Sequence, residues 1–270
     1  MLLNGQPASG ISLHDRGLAY GDGLFETILV HDGHAVLLDL HLQRLQQGCG
    51  RLGLAFDDKA IRHDIKAVLA HADAANSVLK LMLVRKAGGR GYRPATDACN
   101  RIVTVHPKPL YSGSPEQGIA MFLCQQRLAR QPALAGLKHL NRLEQVMASR
   151  EWPDETYQEG LMLDTHDLAI EGTRSNLFAV IDGKLVTPRL DQCGVDGVLR
   201  RCLLQHFGAR SQQVELALPA LKTASELFVC NGVFGVWPVI ALQLPTERWH
   251  YTVGDMTREA TNVFSKALRG

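Results

Sequence analysis

The sequence predicts a two-domain protein that contains both helices and strands. With 270 residues and 46% hydrophobic content, the chain can bury one large core or two ordinary ones. Runs with strand alternation and runs with helical spacing occur in both halves of the chain. Residues 107–115 hold three prolines together with glycine and serine, which is the composition of a linker. We therefore expect the domain boundary there.

Charge and composition limit the classes of partner. The formal net charge is +2, and the 29 basic and 27 acidic residues are scattered along the chain without a basic block. Nucleic acid and membrane surfaces are therefore not expected as partners. A turn signal at Asn4-Gly5 comes too early for a signal peptide, and no apolar run approaches membrane-spanning length. We expect a cytoplasmic protein that acts on a small molecule.

Cysteines and histidines do not indicate a metal site. The six cysteines include no C-x-x-C pair and lie in apolar or helical surroundings, which predicts reduced, buried thiols. His31 and His34 flank a turn with only Asp32 beside them. Exposed turn residues are the favoured interpretation, so no metal is assigned.

The first half begins with a hairpin followed by helices. Residues 25–30 and 34–38 have strand character and surround the turn signal at residues 31–33. A helix with Asp39 as its N-cap is expected next. The further elements expected before the linker are a helix over 57–72 and strands over 78–84 and 101–106.

Two features of the first half leave alternatives open. Arg44 projects from the first helix and is either a solvated residue or an anion ligand. The loop at residues 85–93 combines glycines with four cations, but it lacks the Gly-Lys-Ser/Thr ending of a nucleotide-binding loop. A solvated loop and a ligand-contacting loop are equally compatible with it.

Residues 136–146 carry the most unusual lysine of the chain. Lys138 stands just before a helix start signal, with Asn141 as N-cap and Glu144 three residues later. Partial desolvation there would favour a neutral, nucleophilic amine, whereas a lone lysine is more often a surface residue. The apolar residues expected to pack this helix are Leu143, Val146 and Met147.

Three further motifs follow in the second half. Glu171 precedes an apolar strand and is either a buried carboxylate that needs a partner or a surface residue at a strand end. Residues 194–201 open a helix whose first amides suit an anion, although a plain capping turn also fits. Asn231-Gly232 interrupts a buried strand and can present backbone amides. The remaining predicted elements are strands over 119–124 and 160–164 and a helix over 255–268.

The order of these motifs resembles the fold type IV family of pyridoxal-phosphate enzymes, which includes branched-chain and D-amino-acid aminotransferases and aminodeoxychorismate lyase. The resemblance extends from residues 21–23 to residues 237–239. Within the family, residues 138–146 are most similar to the lyase. Branched-chain aminotransferases carry a tyrosine shortly after the lysine, whereas this chain has Asn141, Arg142 and Leu143 there.

The resemblance implies an architecture and a function. The implied fold class is α+β, with a small N-terminal domain over 1–108, a linker over 109–117 and a larger β-barrel-like domain over 118–270, usually in a homodimer. The implied activity is a lyase reaction that forms 4-aminobenzoate and pyruvate. The alternatives are an aminotransferase on the same fold and a non-catalytic cofactor-binding protein.

The resemblance also implies roles for individual residues. Lys138 would form the Schiff base with pyridoxal 5′-phosphate, and Glu171 would pair with the pyridine nitrogen. The implied phosphate ligands are Arg44, the backbone amides of Val198 and Leu199, and the Asn231-Gly232 turn. The substrate-binding candidates are Arg90, Tyr92, Asn141 and Arg142.

Overall fold

The computed structural model describes residues 1–71, 76–89, 91–111 and 117–269, and these form two units. The first unit comprises Met1–Pro109 together with the short segment Leu137–Asn141. The second comprises Leu110–Gly136 and Arg142–Gly270. Most of the predicted linker, residues 112–116, lies outside the described residues, and the predicted domain limits stay a prediction.

The first unit is built on an antiparallel sheet of six strands. Its strands are β1 (Leu2–Leu3), β2 (Gln6–Pro7), β3 (Gly23–His31), β4 (His34–Ala35), β5 (Asn76–Arg85) and β6 (Cys99–Pro107), in the order β2-β1-β6-β5-β3-β4. Its helices are α1 (Arg16–Tyr20), α2 (Leu38–Leu52) and α3 (Asp58–His71). The helices and strands predicted for this half are therefore confirmed, with shifts at their ends.

The predicted hairpin is confirmed, but its second strand is shorter than expected. Asp32 and Gly33 both have positive φ (47° and 77°), as a tight turn between twisted strands requires. Leu37 adopts a left-handed conformation with φ 55° and occupies the cap position of α2. The prediction of Asp39 as N-cap is therefore wrong, because Asp39 lies inside the first turn, where its charge favours the positive helix end.

The second unit is organised around a six-stranded barrel. The strands of this unit are β7 (Ile119–Leu128), β8 (Glu159–Asp164), β9 (Ala169–Gly172), β10 (Asn176–Ile181), β11 (Lys184–Pro188), β12 (Ser211–Val214), β13 (Glu226–Asn231), β14 (Gly235–Gln243) and β15 (Arg248–His250). The barrel runs β10-β13-β14-β7-β8-β9, and pairing of β9 with β10 closes it. The predicted α+β class with a barrel in the second half is confirmed.

The core of the second unit consists of side chains from these strands. Phe178 and Phe228 stack with ring centres 5.0 Å apart, and Trp237 is also fully buried. Strands β8 and β9 are buried along their whole length, so neither face reaches water. Polar side chains on these strands therefore need partners inside the protein.

The helices of the second unit are α4 (Leu143–Ala148), α5 (Val198–Phe207) and α6 (Asp255–Ala267). Short 3-10 helices cover Gly208–Arg210 and Leu218–Thr223. Ala260 and Phe264 form the buried face of α6. The cap residue of α6, Gly254, provides no side-chain hydrogen bond to the first turn.

A carboxylate from the barrel holds the start of α6. Glu226 accepts hydrogen bonds from the Thr257 amide (2.8 Å) and hydroxyl (2.6 Å) and from the Met256 amide (3.3 Å). A Cβ atom at Gly254 would lie 2.1 Å from Glu226 Oε1, so the approach of the two elements requires glycine. The negative charge also faces the positive end of the helix.

The thiols agree in part with the prediction of reduced, buried cysteines. All six cysteines are free, and Cys49, Cys124, Cys193 and Cys230 are buried, whereas Cys99 and Cys202 are partly exposed. Burial raises the pKa of Cys49, Cys124 and Cys193 to about 12, so these thiols stay protonated at neutral pH. Within the part of the chain that the structure describes, no helix has the length and apolar character needed to cross a membrane.

Removing the Glu226 carboxylate should destabilise the second unit. We expect Glu226→Ala to lower the free energy of unfolding by about 2 kcal/mol, because the buried Thr257 donors lose their acceptor. Urea unfolding of the purified protein measures this loss. Glu247→Ala is the control, because Glu247 pairs with Lys222 at the surface and its loss should cost less than about 1 kcal/mol. Equal losses for the two variants would contradict the capping role.

Candidate active site

Lys138 lies on a segment that pairs with β3 in the first unit. The Phe25 amide donates to the Lys138 carbonyl (2.9 Å), and the Leu140 amide donates to the Gly23 carbonyl (3.0 Å). A Cβ atom at Gly23 would lie 2.4 Å from the Leu83 carbonyl oxygen and 2.9 Å from Leu140 Cδ1, so glycine is required chiefly by the neighbouring strand β5. The backbone around Lys138 is therefore fixed by the sheet, unlike that of a surface loop.

An aromatic ring covers one side of the Lys138 amine. Nζ of Lys138 lies 4.5 Å from the centre of the Phe25 ring, and the side chain is partly buried. A ring face attracts a charged amine, whereas burial disfavours the charge. The position of the amine is thus set by the same residue of β3 that bonds the Lys138 backbone.

Arg44 is buried in an ion-paired cluster. Its Nε donates to Glu26 Oε1 (2.8 Å), its Nη2 bonds the other carboxylate oxygen, and His41 Nδ1 lies 2.6 Å from Glu26 Oε2. Burial alone would raise the pKa of Glu26, but the charge of Arg44 and the bonds from Arg44 and His41 lower it to about 2. The alternative that Arg44 is a solvated residue is therefore wrong.

Sequence reasoning did not identify Glu26 and His41. The available signals were a carboxylate inside the apolar strand 25–30 and a histidine three residues before Arg44 on one face of the helix. Burial lowers the pKa of His41, although the charge and the hydrogen bond of Glu26 oppose that shift.

The predicted capping box after Lys138 is wrong. Helix α4 begins at Leu143 with Arg142 in the cap position and no side-chain cap. The Asn141 side chain donates instead to the Gly21 carbonyl in the first unit (3.3 Å). Glu144 accepts from the Ala129 amide (2.8 Å). Both side chains make long-range bonds, which the local spacing does not reveal.

The predicted packing of α4 is also wrong. Leu143, Val146 and Met147 are 69%, 53% and 49% exposed, and Ala148 is the buried residue of this helix. Positions separated by three or four residues share one helix face. Three large apolar side chains on one exposed face of a six-residue helix indicate a surface that another molecule can cover.

Glu171 is a buried carboxylate at the seam of the barrel. It lies on β9 directly opposite Asn176 of β10, which is the pair that closes the barrel. Its Oε2 accepts from the Val195 amide (2.7 Å), and the Gln145 side-chain nitrogen lies 3.5 Å from its Oε1. The surface alternative for Glu171 is therefore wrong, and Gln145 is a partner that no sequence pattern indicated.

Arg142 lies within electrostatic reach of this carboxylate. Burial lowers the pKa of the Arg142 guanidinium, and the charge of Glu171 opposes the shift. The second unit thus places a cation near the Glu171 carboxylate.

A second buried carboxylate shapes the turn between β9 and β10. Glu159 accepts from the amides of Gly160 (3.0 Å) and Thr173 (2.9 Å) and from the Ser175 hydroxyl (2.8 Å). Several donors satisfy this carboxylate, as a buried charge requires. Glu159 therefore fixes the turn that connects Glu171 to Asn176.

The start of α5 presents backbone donors. Gly197 is the cap residue, no side chain caps this end, and Val198 and Leu199 form the first turn. A Cβ atom at Gly197 would lie 1.9 Å from Asn176 Oδ1, so glycine lets the helix approach β10. The positive end of the helix suits an anion at this point.

The Asn231-Gly232 turn connects β13 to β14, as the interrupted strand predicted. The Asn231 side-chain oxygen accepts from the amides of Val233 (2.8 Å) and Phe234 (2.9 Å), and its nitrogen donates to the Arg174 carbonyl (3.0 Å). The Asn231 side chain therefore shapes the turn.

The remaining substrate candidates lie in the cationic loop. Arg90 lies outside the described residues. Tyr92 is 87% exposed, its ring meets Tyr20 edge-on with centres 5.6 Å apart, and its carbonyl accepts from Arg16 (2.8 Å). Arg16 is a buried residue and anchors this part of the loop.

The chain is similar to known proteins over most of its length. The chain is 34% identical over 262 residues to an aminodeoxychorismate lyase from Vibrio harveyi, covering 95% of this chain and 96% of the relative. It is 29% identical over 241 residues to a putative branched-chain-amino-acid aminotransferase from Methanocaldococcus jannaschii, covering 86% and 82%. The crystal structure of 4-amino-4-deoxychorismate lyase from Pseudomonas aeruginosa superposes with a TM-score of 0.92, at 44% identity over 98% of both chains.

The family model described as amino-transferase class IV matches residues 23–242. This range begins in β3, just before Phe25, and ends in β14, so it contains Lys138 and Glu171. The chain belongs to the class IV amino-transferase family.

Proposed function

We propose that the protein binds pyridoxal 5′-phosphate and converts 4-amino-4-deoxychorismate to 4-aminobenzoate and pyruvate. The observation that carries the proposal is Lys138, fixed by backbone bonds beside Phe25 within a segment similar to the lyase. The near full-length likeness to two proteins named as this lyase supports it.

The donor set of the described residues fits the cofactor. A phosphate dianion needs a guanidinium and helix-terminal amides, and Arg44 and the first turn of α5 are of those kinds. A protonated ring nitrogen needs a carboxylate, and Glu171 is buried and oriented by the Val195 amide. An aldehyde needs an amine, for which Lys138 is the candidate.

Lys138 and Glu171 would have different roles in the reaction. Bound pyridoxal phosphate supplies an electron sink for the carbon next to the substrate amine. Lys138 removes the proton from the amine-bearing ring carbon of the substrate and returns a proton to the departing enolpyruvate. Loss of this group as pyruvate makes the ring aromatic, which drives the reaction forward. Glu171 would pair with the protonated ring nitrogen of the bound cofactor.

Substrate recognition is proposed for a further set of side chains. The substrate carries two carboxylates, which guanidinium groups bind well. Arg142 is partly buried and Tyr92 exposes its phenol, while Asn141 bonds the Gly21 carbonyl. Together with Arg90, these are the proposed substrate ligands.

An aminotransferase on the same fold is the second candidate. The relative from Methanocaldococcus jannaschii favours it, because that protein is named as an aminotransferase. The residues after Lys138 favour the lyase, because Asn141 and Leu143 stand where branched-chain aminotransferases carry a tyrosine. A protein that only binds the cofactor could also hold it through Lys138, so an assay for 4-aminobenzoate and pyruvate separates that alternative from the lyase.

We propose further that the enzyme is a homodimer in the cytoplasm. The exposed apolar face of α4, formed by Leu143, Val146 and Met147, supports a second copy of the chain as a partner. The six free cysteines support a reducing compartment.

Lys138→Ala should abolish the visible absorption band of the bound cofactor and lower lyase turnover at least about 10²-fold, because the amine acts both as cofactor ligand and as base. The measurement is the absorption spectrum with added pyridoxal phosphate, followed by an assay for 4-aminobenzoate and pyruvate together. Lys80→Ala is a matched control, since Lys80 Nζ also lies over the Phe25 ring, at 5.4 Å.

A band that persists unchanged in Lys138→Ala would refute Lys138 as the amine that holds the cofactor, and a wild-type protein without the band would refute the cofactor proposal. Amino transfer to a keto acid by the wild-type protein, without pyruvate from aminodeoxychorismate, would favour the aminotransferase instead.

Introducing negative charges on the exposed face of α4 should dissociate the dimer into monomers. We expect the wild-type protein to sediment at twice the chain mass of 29.7 kDa and Val146→Glu with Met147→Glu at the chain mass. Burying two unpaired carboxylates in an interface costs several kcal/mol. Asn262→Glu, at an exposed position of α6, should leave the mass unchanged. A monomeric wild-type protein would contradict the proposal.

A further inference from the structure

We propose that Glu26 and His41 are positioning residues that hold the guanidinium of Arg44 for the cofactor phosphate. This inference rests on the proposed function and adds two residues to it. Neither touches the reacting atoms in the proposed reaction, so their effect passes through Arg44.

The carboxylate of Glu26 engages Arg44 along one edge. Oε1 accepts from Nε (2.8 Å) and Oε2 bonds Nη2, so two bonds define the plane of the guanidinium. Both side chains are buried, and water does not compete for these bonds. Arg44 alone would have several rotatable bonds, whereas the paired side chain has one orientation.

His41 fixes the carboxylate in turn. It lies one turn before Arg44 on α2, and its Nδ1 is 2.6 Å from Glu26 Oε2. Because an ionised carboxylate only accepts, the bond to Glu26 requires a proton on Nδ1. Nε2 is buried without a hydrogen-bond partner among the described residues. An apolar residue would avoid that cost, so stability alone does not account for His41.

Stability likewise does not account for Glu26. Replacing a buried ion pair by apolar side chains is often neutral or stabilising, because desolvation offsets the attraction. The charge of Glu26 also opposes phosphate binding, since it cancels the charge of Arg44. A carboxylate at this position can favour phosphate binding only through the orientation that it gives to the Arg44 guanidinium.

One strand sets the positions of both cofactor groups in the first unit. The Phe25 amide of β3 holds the Lys138 backbone, and the next residue, Glu26, holds Arg44. Covalent bonds restrict the distance between the aldehyde and the phosphate of pyridoxal phosphate to a narrow range. An amine and a guanidinium that share one rigid strand can match that distance without rearranging.

The test compares pyridoxal phosphate with pyridoxal, which lacks the phosphate. We expect Glu26→Gln to weaken the affinity for pyridoxal phosphate about 10- to 100-fold and to leave the affinity for pyridoxal unchanged. His41→Asn should weaken the affinity for pyridoxal phosphate about fivefold, with the same selectivity. Affinities are measured by titrating the apo protein and following the visible band, with thermal unfolding of each variant beside it.

Asp39→Asn is the control, because Asp39 lies on the same helix in an exposed pair with Arg62. It should change neither affinity. In the double variant with Arg44→Gln, Glu26→Gln should add no further loss, because the residue it positions is absent.

Three results would overturn the proposal. Tighter binding of pyridoxal phosphate by Glu26→Gln would mean that only the charge of Glu26 matters. Equal losses for both ligands would indicate a structural role. Unchanged affinity for pyridoxal phosphate in a folded His41→Asn variant would show that His41 is not a positioning residue. If Glu26→Gln does not fold, the His41→Asn variant provides the test. A wild-type protein without a visible band would instead refute the proposed function.

Discussion

The backbone pairing between β3 and the segment Leu137–Asn141 is the constraint on which the candidate site depends. Two bonds, between Phe25 and Lys138 and between Leu140 and Gly23, hold the segment against β3 through an isolated antiparallel bridge between Leu24 and His139. Lys138 therefore has a fixed backbone and an aromatic ring beside its amine. Rigid backbone at a reactive amine supports catalysis, because little order must be gained on binding.

The second unit likewise holds a carboxylate in a fixed position. Glu171 lies at the pair of strands that closes the barrel, and Glu159 fixes the turn that follows it. Both carboxylates are buried, and backbone amides donate to them, so their orientation follows from the path of the chain. Each unit thus carries charged groups whose positions are determined by backbone bonds.

Sequence reasoning worked best where local chemistry decides the structure. The hairpin around Asp32-Gly33 and the start of α5 at Val198 follow from turn and cap preferences within a few residues. It failed where long-range bonds compete with local ones. Asn141 and Glu144 have the spacing of a capping box, yet their side chains bond Gly21 and Ala129. The apolar spacing of α4 is real, but it lies on an exposed face.

The sequence by itself determined the element types and the chemical kinds of group available, because periodicity and turn residues are local properties of the chain. The barrel-containing class followed from the resemblance of the motif order to a known family. Only the tertiary structure decided which polar and charged groups meet. Glu26 and Arg44 are eighteen residues apart, and Glu171 and Val195 are twenty-four apart. Nothing in the spacing of such pairs marks them as partners, because folding of the strands and helices brings them together. The same reason explains why Glu26 was found only in the structure, although Arg44 was named from the sequence.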